Sequence, residues 1–261
     1  MNRNTRRTFL FATLAAGAAL TPAGRAVAAA ATTTLTTPTT TPTIEGSLNL
    51  RDIGGLAATP PYTVRHGIVY RSGTLSLLTD TGVGQLATLG LAQVVDFRTA
   101  AEIAVQGADR LPPGVVRVSA PIGDPPGQAQ HQALGVPDPK QIALYQGYVS
   151  NPAWRASFAD TLHRLLPDSQ RPLLYHDSAG AHRAGWLTAI LLTLLGVPRA
   201  QVDTEYLASN DALGGVYAYT EYLDAAFAQA GQDFGSFHGF LSVGLGMSPA
   251  QLARLHNLLL V

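Results

Sequence analysis

Short runs of β-branched and apolar residues alternate along this chain with longer stretches whose apolar positions recur at spacings of three and four. The runs at 67–71, 92–98, 115–120 and 172–176 have the length and composition of strands. The stretches near 79–90, 152–166, 182–195, 215–230 and 248–260 carry the period of helices with one face in a core. Local punctuation agrees. Gly196, Val197 and Pro198 close one helix, while Ser248 and Pro249 open another with a capping hydroxyl and a proline in the first turn. Strands alternating with helices predict an α/β fold with a central, mostly parallel sheet flanked by helices. The stretch at 182–195 is apolar nearly all round, through Trp186, Leu187, Ile190, Leu191, Leu194 and Leu195. Such a helix is expected at the centre, with sheet on one side and helices on the other.

The alternation begins only after residue 43. Residues 1–30 have a basic start at Arg3, Arg6 and Arg7, an apolar run at 9–20 and a small-residue end at Ala26, Val27 and Ala28, the three zones of an export signal. The run is too short for a permanent membrane anchor. Thr5, Arg6, Arg7, Thr8, Phe9 and Leu10 resemble the twin-arginine signal, which exports folded proteins; an ordinary secretory signal is the alternative. Either sends the protein out of the cytoplasm. Residues 31–43 are nearly all Thr and Ala with two prolines and read as a linker with almost nothing to bury. Residues 44–261 are even in composition and form one expected domain.

Composition narrows the chemistry. The chain of 261 residues is 46% hydrophobic and 13% charged, far from the disordered regime, and it has no cysteine. A disulfide framework, a thiolate metal site and a cysteine nucleophile are all excluded. The 17 basic residues balance 17 acidic ones, but Arg3, Arg6, Arg7 and Arg25 precede the first acid, Glu45, and setting them aside leaves 13 against 17. That balance argues against a nucleic-acid partner and permits a single basic pocket.

The pocket is suggested at 173–185, where a buried strand enters a loop of Asp177, Ser178, Ala179, Gly180, Ala181, His182 and Arg183 and leaves as the apolar helix. Small residues let backbone N–H groups converge, the helix start adds partial positive charge, and Arg183 has the fork to hold an oxyanion. A phosphorylated or otherwise anionic ligand is the expected partner; no cofactor is implied, and the oligomeric state is not legible.

This segment resembles the signature loop of the protein tyrosine phosphatases, in the bacterial tyrosine/serine phosphatase branch. Further stretches share the resemblance: Asn49, Leu50, Arg51, Asp52, Ile53, Gly54 and Gly55; Tyr70, Arg71, Ser72 and Gly73; Val95, Asp96, Phe97 and Arg98 with Glu102; Tyr206 to Asn210; and Phe234 to Phe237 with Gly244, Leu245 and Gly246. The resemblance implies a phosphate-binding loop, hydrolase ancestry and a cysteine at position 177. Here Asp177 stands at that position, with Ala181 and His182 before the arginine and Ala184 in place of the hydroxyl residue after it.

Several readings of Asp177 stay open at this point: a nucleophile in phosphomonoester hydrolysis, a carboxylate folded into the anion site of a catalytically silent protein, or a base partnered with His182 in a different reaction. His182 has the alternative of a solvent-facing residue in the first helical turn, and His176 that of a strand-end histidine bonded to the loop backbone. A metal site of His176, Asp177 and His182 is disfavoured because neighbours on a strand point opposite ways. Asp124, among prolines and glycines at 123–127, is either a mobile acid over the pocket or part of a turn. Arg51 either reaches the anion or, with Asp52, Asp96, Arg98 and Glu102, forms buried charge pairs that position the loop.

Overall fold

The computed structural model describes residues 42–123 and 135–261. Five strands form one sheet: β1 (Arg51–Asp52), β2 (Val69–Ser72), β3 (Gln93–Asp96), β4 (Val116–Ser119) and β5 (Leu173–His176). Their order is β1-β2-β5-β3-β4, parallel except for β1, which runs antiparallel to β2. The helices among the described residues are α1 (Asp80–Ala87), α2 (Ala100–Gln106), α3 (Pro139–Ser150), α4 (Pro152–Arg164), α5 (Arg183–Leu194), α6 (Arg199–Leu213), α7 (Thr220–Phe234), α8 (Phe237–Gly239) and α9 (Pro249–Leu259), with a π-helical turn at Phe240–Gly244. The expected α/β architecture with a mostly parallel central sheet is present.

Alternation along the strands divides the core between the two faces of the sheet. Leu173 and Tyr175 of β5, with Val95, join a large cluster that includes Tyr145, Phe158, Trp186, Ile190 and Phe240. Leu174, between them, joins Val94, Tyr70, Leu78 and Leu86 in a smaller cluster. Helix α5 lies against β2 and β5 on one side and α6 on the other, as its all-round apolarity requires. β4 is an edge strand, and Val116 is 58% exposed there.

Where sequence and structure differ, particular contacts account for it. Helix α7 starts at Thr220 rather than near 215 because Asn210 holds the preceding chain: its Oδ1 accepts from the amides of Tyr217 and Ala218, and its Nδ2 donates to the Ala218 carbonyl. Helices α2, α3, α6 and α8 and strand β1 are additions to the predicted set. The expected export signal and all of the expected linker except residues 42 and 43 lie outside the described residues. Among those residues no helix is long and apolar enough to cross a membrane.

The register brings the C-terminal ends of three strands side by side: Ser72 of β2 and Asp96 of β3 both lie opposite His176, the last residue of β5. In a parallel α/β sheet this edge is where binding loops gather.

Candidate anion-binding site

The chain leaves β5 at His176, turns through 177–182 and enters α5 at Arg183. The carbonyls of this turn are pinned outward. Ser178 accepts from the amide of Thr74 at 3.1 Å, Ala179 from Asn49 Nδ2 at 3.1 Å and Gly180 from an Arg71 guanidinium nitrogen at 2.5 Å. With the carbonyls held on the outside, successive amides face inward. Gly180 is required by its conformation and by space: φ is +74°, and a Cβ would come within 2.5 Å of the Gly73 amide nitrogen. Asn49 itself takes a positive φ of 54°, which asparagine tolerates better than most residues.

The inward amides are met by the side chain that precedes them. Asp177 Oδ1 accepts from the amides of Ala179, at 3.0 Å, and Gly180; Oδ2 accepts from the amide of Ala184 at 3.1 Å, with Arg183 Nε 4.0 Å away. The residue is 2% exposed. Burial pushes its pKa up, but the charge of Arg183 and the amides of Ala184 and Gly180 outweigh burial and hold the carboxyl below its ordinary value.

Arg183 is equally occupied. Its two terminal nitrogens lie 2.8 and 2.6 Å from the two carboxylate oxygens of Glu102, and Nη1 also reaches the carbonyls of Phe97 and Ile122, each at 3.0 Å. Ser178 Oγ donates to the same Glu102 at 2.8 Å. Glu102 is fixed in turn by the start of α2, where it and Thr99 form a capping box. Burial opposes the charge on Arg183, but Glu102 and Asp177 more than compensate, and its pKa is raised.

Two buried ion-pair networks support the loop. In the first, Glu205 of α6 takes Arg51 and Arg71, each at 2.7 Å. Burial favours the protonated carboxyl of Glu205, yet the two guanidiniums lower its pKa. All five N–H groups of Arg51 have acceptors in Glu205, Asn49 and Ser209, which is the pairing role among its two expected ones. Arg51 is held to about 10 by burial and by the neighbouring charge of Arg71.

In the second network Arg98 and Arg117 both bond Asp96, and Arg98 reaches Asp109 at 2.7 Å. His176 Nε2 lies 3.0 Å from Asp109, and its Nδ1 lies 3.2 Å from the Asp177 carbonyl, so its contact with loop backbone is as expected. Asp96, Asp109 and His176 are close enough to surround a cation, but the guanidiniums of Arg98 and Arg117 already take both carboxylates. His176, Asp177 and His182 face different partners: His176 faces Asp109, Asp177 the loop amides, and His182 Tyr145 of α3.

His182 corrects the solvent-facing alternative. It is buried, with Nδ1 3.2 Å from the Tyr145 hydroxyl, which is 2.7 Å from the Tyr206 hydroxyl. Ala181 is fully buried. Asp124 lies outside the described residues. Sequence reasoning missed Glu205, Asp109 and Tyr145. Each is polar at a buried or half-buried position, and the only readable trace was the neighbouring Tyr206 to Asn210 stretch.

The sequence model of the tyrosine phosphatase family matches residues 42–261. The chain belongs to the tyrosine phosphatase family. Among curated relatives, the triple specificity protein phosphatase PtpB of Mycobacterium tuberculosis is 25% identical, with 83% of this chain and 98% of that protein covered. A protein named as a tyrosine-protein phosphatase in Cupriavidus necator is 30% identical over 78% of this chain and 84% of its own length. Among solved structures, TpbA of P. aeruginosa is similar over 68% of this chain and 97% of that one, at 19% identity and a TM-score of 0.34. This tyrosine phosphatase family member has a strand–loop–helix turn with inward amides and an arginine, and its centre is filled by a carboxylate.

Proposed function

We propose that this protein is a catalytically silent member of the tyrosine phosphatase family whose loop binds an anionic ligand in competition with its own Asp177. The observation that carries the reading is the set of three amide bonds, from Ala179, Gly180 and Ala184, to the Asp177 carboxylate. Asp177 stands where the family resemblance implies a cysteine nucleophile. A carboxylate with both oxygens bonded and its pKa lowered is a weak nucleophile toward a phosphate that carries the same charge. The terminal nitrogens of Arg183, which would have to neutralise that repulsion, are bonded to Glu102. A ligand therefore gains the loop by displacing the carboxylate, not by reacting with it.

The test is a pair of measurements on the intact chain. Turnover of an aryl phosphate, with and without divalent metal, should not exceed background, and Asp177→Ala should bind inorganic phosphate more tightly than the parent. Turnover that disappears in Asp177→Ala would instead make Asp177 a nucleophile or base.

We further propose export by the twin-arginine route, supported by Arg6 and Arg7 followed by the apolar run at 9–20. Replacing both arginines with lysine should leave precursor in the cytoplasm, because the receptor reads the guanidinium pair; unchanged secretion overturns the proposal.

A further inference from the structure

Helix α3 carries two buried tyrosines nearly one turn apart, and the first of them touches the loop through His182. The second, Tyr148, packs its ring on Tyr145 at 5.0 Å and on Phe158 at 5.7 Å and is 1% exposed. Unlike Tyr145, its hydroxyl meets no hydrogen-bond partner among the described residues. A buried tyrosine hydroxyl ordinarily finds one, because leaving the group dry and unpaired is destabilising. Both ring neighbours lead to the loop: Tyr145 reaches His182, and Phe158 packs on Phe97, whose carbonyl accepts from Arg183 at 3.0 Å. Burial drives the phenol's pKa far above its ordinary value, so the group keeps its proton and is available as a donor.

We infer that Tyr148 is a ligand-binding residue of the loop, its hydroxyl donating to an oxyanion of the phosphate-monoester class seated at residues 178–183. The inference rests on the reading of the loop as an anion site and adds to it a donor from α3 that the loop sequence does not contain. It also gives a use to the hydroxyl at a position where phenylalanine would fill the same space without an unpaired oxygen.

The experiment is a calorimetric titration of the full chain with inorganic phosphate, comparing Asp177→Ala with the double variant Asp177→Ala/Tyr148→Phe, with a thermal melt of each. Loss of one hydrogen bond to a charged ligand should weaken binding about tenfold. The melting temperature of the double variant should be equal or higher, since no protein hydrogen bond is lost. Equal phosphate affinity in the two variants overturns the role of Tyr148 and leaves the loop reading standing. Weaker binding accompanied by a lower melting temperature makes Tyr148 a packing residue and also overturns it. If Asp177→Ala itself binds no phosphate, the loop is not an anion site and both readings fall.

Discussion

Arg71 and Glu205, 134 positions apart in the chain, meet at 2.7 Å with both side chains out of solvent. The pair joins β2 to α6, and the other end of the Arg71 guanidinium holds the Gly180 carbonyl of the loop. Loop shape is thus tied to an ion pair that belongs to neither the loop nor its flanking elements.

Removing that carboxylate should be costly. Glu205→Leu leaves Arg51 and Arg71 buried beside each other without an anion, and the loss of one partner from such a group is expected to cost about 3–5 kcal/mol. Urea denaturation measures it. A loss below about 1 kcal/mol, the range of a solvent-exposed pair, would show that water reaches the site.

Acid should unfold the protein through the same class of interactions. The pKa values of Asp96, Glu102, Asp177 and Glu205 are all lowered in the folded chain; burial opposes this in each case, and arginine neighbours, with loop amides at Asp177, overcome it. A carboxyl lowered by folding contributes stability that is complete above its unfolded value, about 4, and is lost as pH falls through the folded value. The urea midpoint should therefore stay level on these groups' account from neutral pH to about pH 5 and fall steeply below about pH 4. Asp177→Asn removes one titrating group and should make the fall shallower. An identical slope in the variant would mean that Asp177 has the same pKa folded and unfolded.

Helix α5 offers a test of the core. Ile190 is fully buried in the large cluster, between the sheet and α6. Ile190→Asp places an unpaired carboxylate there at a cost of several kcal/mol, against a total stability of about 5–15 kcal/mol for a domain. No soluble, cooperatively melting protein is expected. Recovery of one with the parent's melting temperature would require a wet or yielding interior at this helix.

These same residues mark what could be read in advance. Helix α5 and strand β5 were legible because burial on all sides leaves a continuous apolar run, and their lengths and flanking residues separate helix from strand. Helix α2 was not, because none of its residues is buried and so it has no apolar stripe; its one local signal is the Thr99 and Glu102 capping box. Helix α6 hid for the opposite reason. Gln201, Glu205 and Ser209 are on its buried face, so polar residues interrupt the period that would have revealed it. The loop was legible in position and in residue type. What the sequence could not give was the direction of its side chains: that Asp177 turns into the amides, that Arg183 is bonded to Glu102, and that Arg51 pairs with Glu205 depend on contacts separated by up to 154 residues.

The loop's converging amides lead to the last prediction. Asp177→Cys would put a thiol where the amides of Ala179, Gly180 and Ala184 already converge on an anion and where Arg183 lies alongside. Amides and a guanidinium lower a thiol's pKa and supply the thiolate that attacks phosphorus. A thiolate carries the same single charge as the carboxylate but on a large, polarisable and far more nucleophilic sulfur, so attack on phosphorus competes better with the repulsion. A first phosphoryl transfer is therefore expected. The second step should be slow, because position 184 is alanine and provides no hydroxyl to stabilise the departing thiolate. Rapid mixing with an aryl phosphate should show a burst of about one equivalent of phenolate per protein, followed by slow turnover. Ala184→Ser in the same background should speed the slow phase and leave the burst unchanged. If Asp177→Cys folds with the parent's stability and shows no burst, the amides converge on a side-chain carboxylate only, the loop has no room for a phosphoryl group, and its shape serves the fold of the domain instead of a ligand.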